Sequence, residues 1–188
     1  MDDPHHWAAL LVIPVGVLAL LARSKHLCCA RNWPLFFSAL GLVLFLLADD
    51  QYWPLGAGSF WNSFIDPNVL PHRIIELAII PFGIFEWRVQ TQRVTSTKAG
   101  LVFPCLVALC SALLLTHSHS ASDSQAQPEL LSEASHVSIA ILGVVGGWSR
   151  WLELRVPPED RTQHVMCWIW PVCFLLVGVL LASYQGSS

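Results

Sequence analysis

DPNVLPHRIIE, residues 66–76, is where a polar loop gives way to an apolar helix that carries a histidine and a glutamate into it. His72 and Glu76 are four residues apart, so on a helix they project from one face a single turn apart. The apolar run opened by His72 continues to Trp87, and five similar runs occupy residues 7–22, 34–48, 99–116, 133–152 and 165–184. With their flanks added, each approaches the roughly 20 residues that cross a bilayer. None has a polar stripe of period 3.6, which separates membrane spans from the surface helices of a soluble bundle. Of the 188 residues 54% are hydrophobic and 12% charged, and the mean hydropathy is +0.55. A soluble domain carries about 25% charged residues, so the main solvent of this chain is lipid. The expectation is an all-α polytopic membrane protein, a bundle of six transmembrane helices forming a single domain. The helices are placed at about 7–23, 34–48, 71–88, 99–117, 132–152 and 165–184, with an outer loop at 49–70 and a polar loop at 118–131.

Loop charges orient the bundle. Arg23, Lys25 and Arg31 lie between the first two runs, Arg88, Arg93 and Lys98 between the third and fourth, and Arg150, Arg155 and Arg161 between the last two. Nine of the ten Lys and Arg residues thus share one side and only Arg73 lies on the other. This positive-inside pattern sends both termini outward, to the periplasm of a Gram-negative bacterium. The net charge of −3 is uninformative, and the absence of a basic stripe excludes nucleic acid as a partner. The first run has no Lys or Arg before Arg23, so it reads as a retained span rather than a cleaved signal.

The six cysteines include no CxxC, and four lie inside apolar runs, as small packing residues do. The tryptophans sort into an inner group (Trp33, Trp87, Trp148, Trp151, Trp168, Trp170) and an outer one (Trp7, Trp53, Trp61), read as interfacial belts. Gly143 and Gly147 form a GxxxG spacing that favours close helix packing. Two charge pairs, Glu86 with Arg88 and Arg150 with Glu153, read as interfacial salt bridges or anchors.

Once oriented, the histidines form a pattern. His72 opens the third helix, His117 and His119 close the fourth, and His136 lies within the first turns of the fifth, all on the outer side. Ionisable groups in a span are costly, which makes Glu76 and His136 functional candidates, and a bound cation offsets that cost. A histidine-rich set without thiolate or thioether suits copper, with zinc as the alternative. The predicted ligands are His72, His117, His119 and His136, with Glu76 as a further ligand or as a partner that fixes an imidazole tautomer. Glu133 shares a helix face with His136. His5 and His6 read as tail residues that could assist metal capture.

DDQYWPLG at 49–56, DPNVLPHR at 66–73, GIFEW at 83–87, the His117-Ser118-His119 step and His136 before a glycine-rich helix resemble the bacterial copper-resistance protein D group. The resemblance covers residues from about 49 to 155. It implies a multi-pass protein of the inner (cytoplasmic) membrane that binds copper at its periplasmic face for transport, delivery or tolerance, with a small periplasmic copper carrier as partner. Better-known members have about eight spans where this chain has six, and the chain has no methionine-rich copper tract. Three other readings stand beside this one. One is a zinc-dependent membrane enzyme using Glu76 or an aspartate as general base, with His119 and Asp123 in an HxxxD spacing. Another is a b-type cytochrome with His72 and His136 as haem ligands. The last is an accessory subunit of a larger membrane complex.

Overall fold

The computed structural model describes residues 4–23, 28–49, 51–67, 69–117 and 128–183. Six α-helices carry them: α1 (Pro4–Leu21), α2 (Leu35–Leu47), α3 (Leu70–Gln90), α4 (Val102–His117), α5 (Pro128–Arg155) and α6 (Arg161–Ser183). Short 3-10 turns lie at Cys28–Asn32, Trp61–Phe64 and Ala99–Leu101, and no strand occurs among the described residues. The chain is all-α. Three of its helical segments, Cys29–Leu47, Ala134–Arg155 and Arg161–Ser183, are long and apolar enough to cross a membrane. His5–Leu21 and Ala99–Leu115 are apolar but shorter. α3 has 21 residues but contains Arg73, Glu76, Glu86 and Arg88.

In space the helices follow the order α3, α2, α1, α6, α5, α4. Hairpin neighbours pair as short connections dictate, while α1 against α6 closes the middle of the row. α3 packs chiefly on α2 and α4 on α5. Between these two outermost helices lies an apolar cavity of about 170 Å³, to which α3 contributes Ile79 and Phe82, α4 Val107 and Ser111, and α5 Ile139.

Glycines fix the register. A Cβ on Gly143 would lie 2.0 Å from Ser111 Oγ, and one on Gly147 would lie 2.9 Å from the Pro104 carbonyl. The GxxxG pair is therefore the face on which α5 meets α4, antiparallel and with backbones in close approach. In the middle of the row, Gly178 of α6 meets Ile13 of α1.

The core is aromatic. Phe103 is fully buried, with ring centroids 5.4 Å from both Trp33 and Trp170, 6.0 Å from Phe37 and Phe82 and 5.9 Å from Phe174. Edge-to-face and tilted pairs of this kind add about 0.5–1.5 kcal/mol each beyond area burial. Trp33 and Trp170 are only 2% exposed, and so belong to the core rather than to an interfacial belt. Trp7, Trp53, Trp61, Trp148 and Trp168 are exposed as a belt requires. The loop after α2 folds on itself: Tyr52 donates to Asp66 Oδ2 at 2.7 Å, and the Phe60 ring contacts Phe45, Trp53, Trp61 and Phe64.

Candidate functional site

One end of the bundle gathers the starts of α1, α3 and α5 and the ends of α2, α4 and α6. Its level can be worked out from the α4–α5 register. Ser111 meets Gly143; His117 is six residues onward in α4 and His136 seven residues back in α5. At 1.5 Å per residue both stand about 9–10 Å above that contact, so the two positions are level. His72 lies ten residues before Phe82, whose ring stacks on Phe103 at 6.0 Å; it therefore stands about 15 Å above that contact against about 21 Å for His117, roughly one turn lower. The three histidine-bearing turns thus lie at one end of the helices that line the apolar cavity, His117 and His136 level and His72 about a turn deeper.

The side chains at this end differ in surroundings. His72 is exposed and His136 half-buried. The His136 ring centroid is 6.4 Å from that of His5, in the first turn of α1. The backbone of His117 closes α4, while its side chain, and His119 entirely, lie outside the described residues, as does the Glu133 side chain. Among the described residues no three His, Cys, Asp or Glu side chains stand close enough together to hold a metal ion.

Glu76 is 4% exposed and turns toward Arg73, not toward a histidine. Arg73, 1% exposed, is the hub of this end. It lies 3.4 Å from Glu76 Oε2 and 3.3 Å from Asp49 Oδ2, and it donates to the Phe45 carbonyl at the last turns of α2. Its guanidinium also stacks over the Phe45 ring at 4.7 Å. Two carboxylates, a carbonyl and an aromatic face together compensate one buried cation and tie the start of α3 to the end of α2. Arg73's position alone on the basic-poor side was the sequence signal for this hub, and Asp49 was its unread partner. Asp66, in the loop before α3, accepts from the Tyr52 hydroxyl. That hydrogen bond, followed by burial and the nearby negative charge of Asp66 and Asp49, pushes the Tyr52 phenol above its ordinary value.

At the other end, Arg150 bonds Glu153 at 2.7 Å, as its i, i+3 spacing predicts. Glu86 behaves otherwise: it is fully buried and accepts from Gln90 Nε2 at 2.7 Å, while Arg88 is exposed. The four-residue spacing to Gln90 brings them onto one face, whereas Arg88 points away. In the connection beyond α5, backbone and side-chain hydrogen bonds from Thr162 hold the Asp160 carboxyl below its usual range. No family model, curated protein or solved structure matches the chain.

Proposed function

We propose that the chain is a six-span membrane protein with both termini outward, which binds copper at the histidine end and acts in copper transport, delivery or tolerance. In this reading His72, His117, His119 and His136 supply the ligands. Copper is preferred over zinc because the sequence resembles the copper-resistance protein D group, with an inner-membrane location and a periplasmic carrier as the corresponding proposals. The observation that carries the metal reading is the common level of the His117 and His136 turns, with His72 about one turn away at the same end of the bundle and the His5 ring beside His136.

The fit of the donors to a metal can be judged from the described pair. A ring nitrogen binds copper or zinc at about 2.0 Å, so two imidazoles on one ion have centroids about 5 Å apart at a tetrahedral centre and about 6.3 Å when collinear. His5 and His136, at 6.4 Å, are neighbours spaced wider than a tetrahedral pair. His5 is therefore proposed to assist metal capture beside His136, not to complete the ligand set. Glu76 is engaged by Arg73, which favours a role in fixing the α3 turn that carries His72 over direct ligation. A bound ion would supply charge that keeps these imidazoles unprotonated and gathers the helix ends around it.

Elemental analysis of the purified full chain, supplied with copper or zinc, tests the reading. Wild type is expected to retain stoichiometric metal, and His136→Ala to lose at least about tenfold in affinity, with His72→Ala and His5→Ala weakened as well. Equal metal in wild type and all three variants would sink the proposal. A visible spectrum of the same sample distinguishes haem from a histidine-bound ion. Six spans and outward termini predict that a reporter active only outside the cytoplasm works when fused after residue 183 and fails when placed at residue 158.

A further inference from the structure

A second polar cavity lies at the opposite end of the bundle, with a volume of about 380 Å³. Arg23, Arg31, Arg150, Gln90, Gln92 and Trp170 contribute to its walls, from the end of α1, the turn before α2, the end of α3, and helices α5 and α6. Glu153 is the carboxylate that meets this group, and both of its oxygens are taken. Oε1 accepts from Arg23, and Oε2 accepts from Arg150 at 2.7 Å and from Trp170 Nε1 at 2.8 Å. Glu86, which accepts from the cavity-lining Gln90 at 2.7 Å, is a second carboxylate behind the wall; two carboxylates against three guanidiniums still leave a positive excess of one. Arg150 is 8% exposed, yet its Nε is buried with no hydrogen-bond partner. A buried guanidinium donor left unsatisfied favours a ligand that can accept from it.

The backbone around Gln92 makes the same point. α3 ends with Gln92 N–H donating to the Val89 carbonyl at 3.0 Å and Arg93 N–H to the Arg88 carbonyl at 2.8 Å. This is the closing pattern in which the next residue takes the left-handed region, usually as glycine. Gln92 adopts it at φ 59 and is the one positive-φ residue other than glycine among the described residues. The position carries an amide side chain, which lines the cavity, where glycine would be easier on the backbone.

We infer that this cavity binds a phosphate-class oxyanion, either free or as the headgroup of a phospholipid. Arginine forks match the oxygens of such a group, and donors arriving from several elements suit a tetrahedral anion better than a planar one. The site is separate from the histidine end and does not depend on the metal reading.

Purified full-chain protein in detergent is unfolded thermally in rising sodium phosphate, with sodium chloride at equal ionic strength as the reference. In parallel, protein in nanodiscs of phosphatidylglycerol and phosphatidylcholine is released for native mass spectrometry. The variants are Arg31→Gln and Gln92→Ala, since both side chains are exposed and their replacement spares the core. Stabilisation by phosphate beyond chloride, with the half-saturating concentration raised about tenfold in Arg31→Gln, identifies a free anion. Retention of phosphatidylglycerol by wild type, lost in Arg31→Gln, without a phosphate effect, identifies the headgroup. Neither effect in wild type, or effects of equal size in wild type and both variants, overturns the inference.

Discussion

Replacing Arg73 by methionine isolates the hub of the histidine end. The guanidinium lies 3.3 Å from Asp49 and 3.4 Å from Glu76, with all three groups largely buried. At an effective dielectric of about 20, each pair is worth about 5 kcal/mol of Coulomb attraction, most of it offset by desolvation of the charges. Removing the cation alone leaves that desolvation uncompensated and adds repulsion between Asp49 and Glu76, so the loss is expected at about 3–5 kcal/mol. Glu76→Gln is a milder change, because Arg73 keeps Asp49 and the Phe45 carbonyl; about 1 kcal/mol is expected. For chains of this size 1 kcal/mol moves the midpoint by about 2–4 °C, so Arg73→Met should melt roughly 6–20 °C lower and Glu76→Gln only a few degrees lower. The assay is thermal unfolding of purified protein in one detergent, with metal content measured on the same samples. Adding Glu76→Leu to Arg73→Met should recover part of the loss, since the orphaned carboxylate goes with it. A Glu76→Gln variant as unstable as Arg73→Met would refute the hub, because the loss would then sit on Glu76 itself. A Glu76→Gln variant that keeps its fold but loses its metal would instead restore Glu76 to the ligand set.

Three further outcomes follow from particular contacts. Phe103→Ala, which empties the centre of the aromatic core, should lose about 3–5 kcal/mol by thermal unfolding, and Phe103→Leu markedly less. Gly143→Ala should destabilise by about 1–3 kcal/mol, because its methyl group meets Ser111 Oγ at 2.0 Å. Gly146→Ala, whose Cβ would meet Cys173 Cβ at 3.4 Å, should be tolerated, and equal melting of the two variants would refute the α4–α5 register. The raised phenol of Tyr52 means that the fold favours the protonated form. Its contribution is complete below the unfolded value of about 10 and is lost as pH rises through the higher folded value. Ultraviolet titration of the phenolate in a Tyr184→Phe background should show the midpoint falling when Asp66→Asn is added.

The helices were legible because each is an apolar run bounded by charged or turn-forming residues. Their order was not. Loops tie chain neighbours together, but nothing in an apolar run states which face it buries or whether α1 meets α6. α3 packs chiefly on α2 and meets α4 through Phe82 and Phe103 and across the apolar cavity. His5, read from sequence as a tail residue that could assist metal capture, comes beside His136 through the α1–α6–α5 order. Trp33 and Trp170 were misplaced for a related reason, since depth along the bundle can be read from sequence but distance from its axis cannot. Arg150 with Glu153 could be read from spacing, whereas Glu86 chose Gln90 over Arg88 because helix geometry rewards four residues and not two.

α3 has the length of a span without the composition of one. Its four charged residues set it apart from the three long apolar segments, although 21 residues at 1.5 Å extend about 31 Å, near the thickness of a bilayer core. Three of the four are buried: Arg73 and Glu76 against each other and Asp49, and Glu86 against Gln90. Arg88 is the exposed one, and it sits in the last turn. Arg73 and Glu76 offset each other's charge inside the protein, and an arginine at a helix end can extend to the headgroups. The exposed side of α3 includes Ile74, Leu77 and Ile84, all apolar. The polar residues of α3 therefore count toward its contacts with α2 and the loop, not against its insertion, which supports the proposal of six spans.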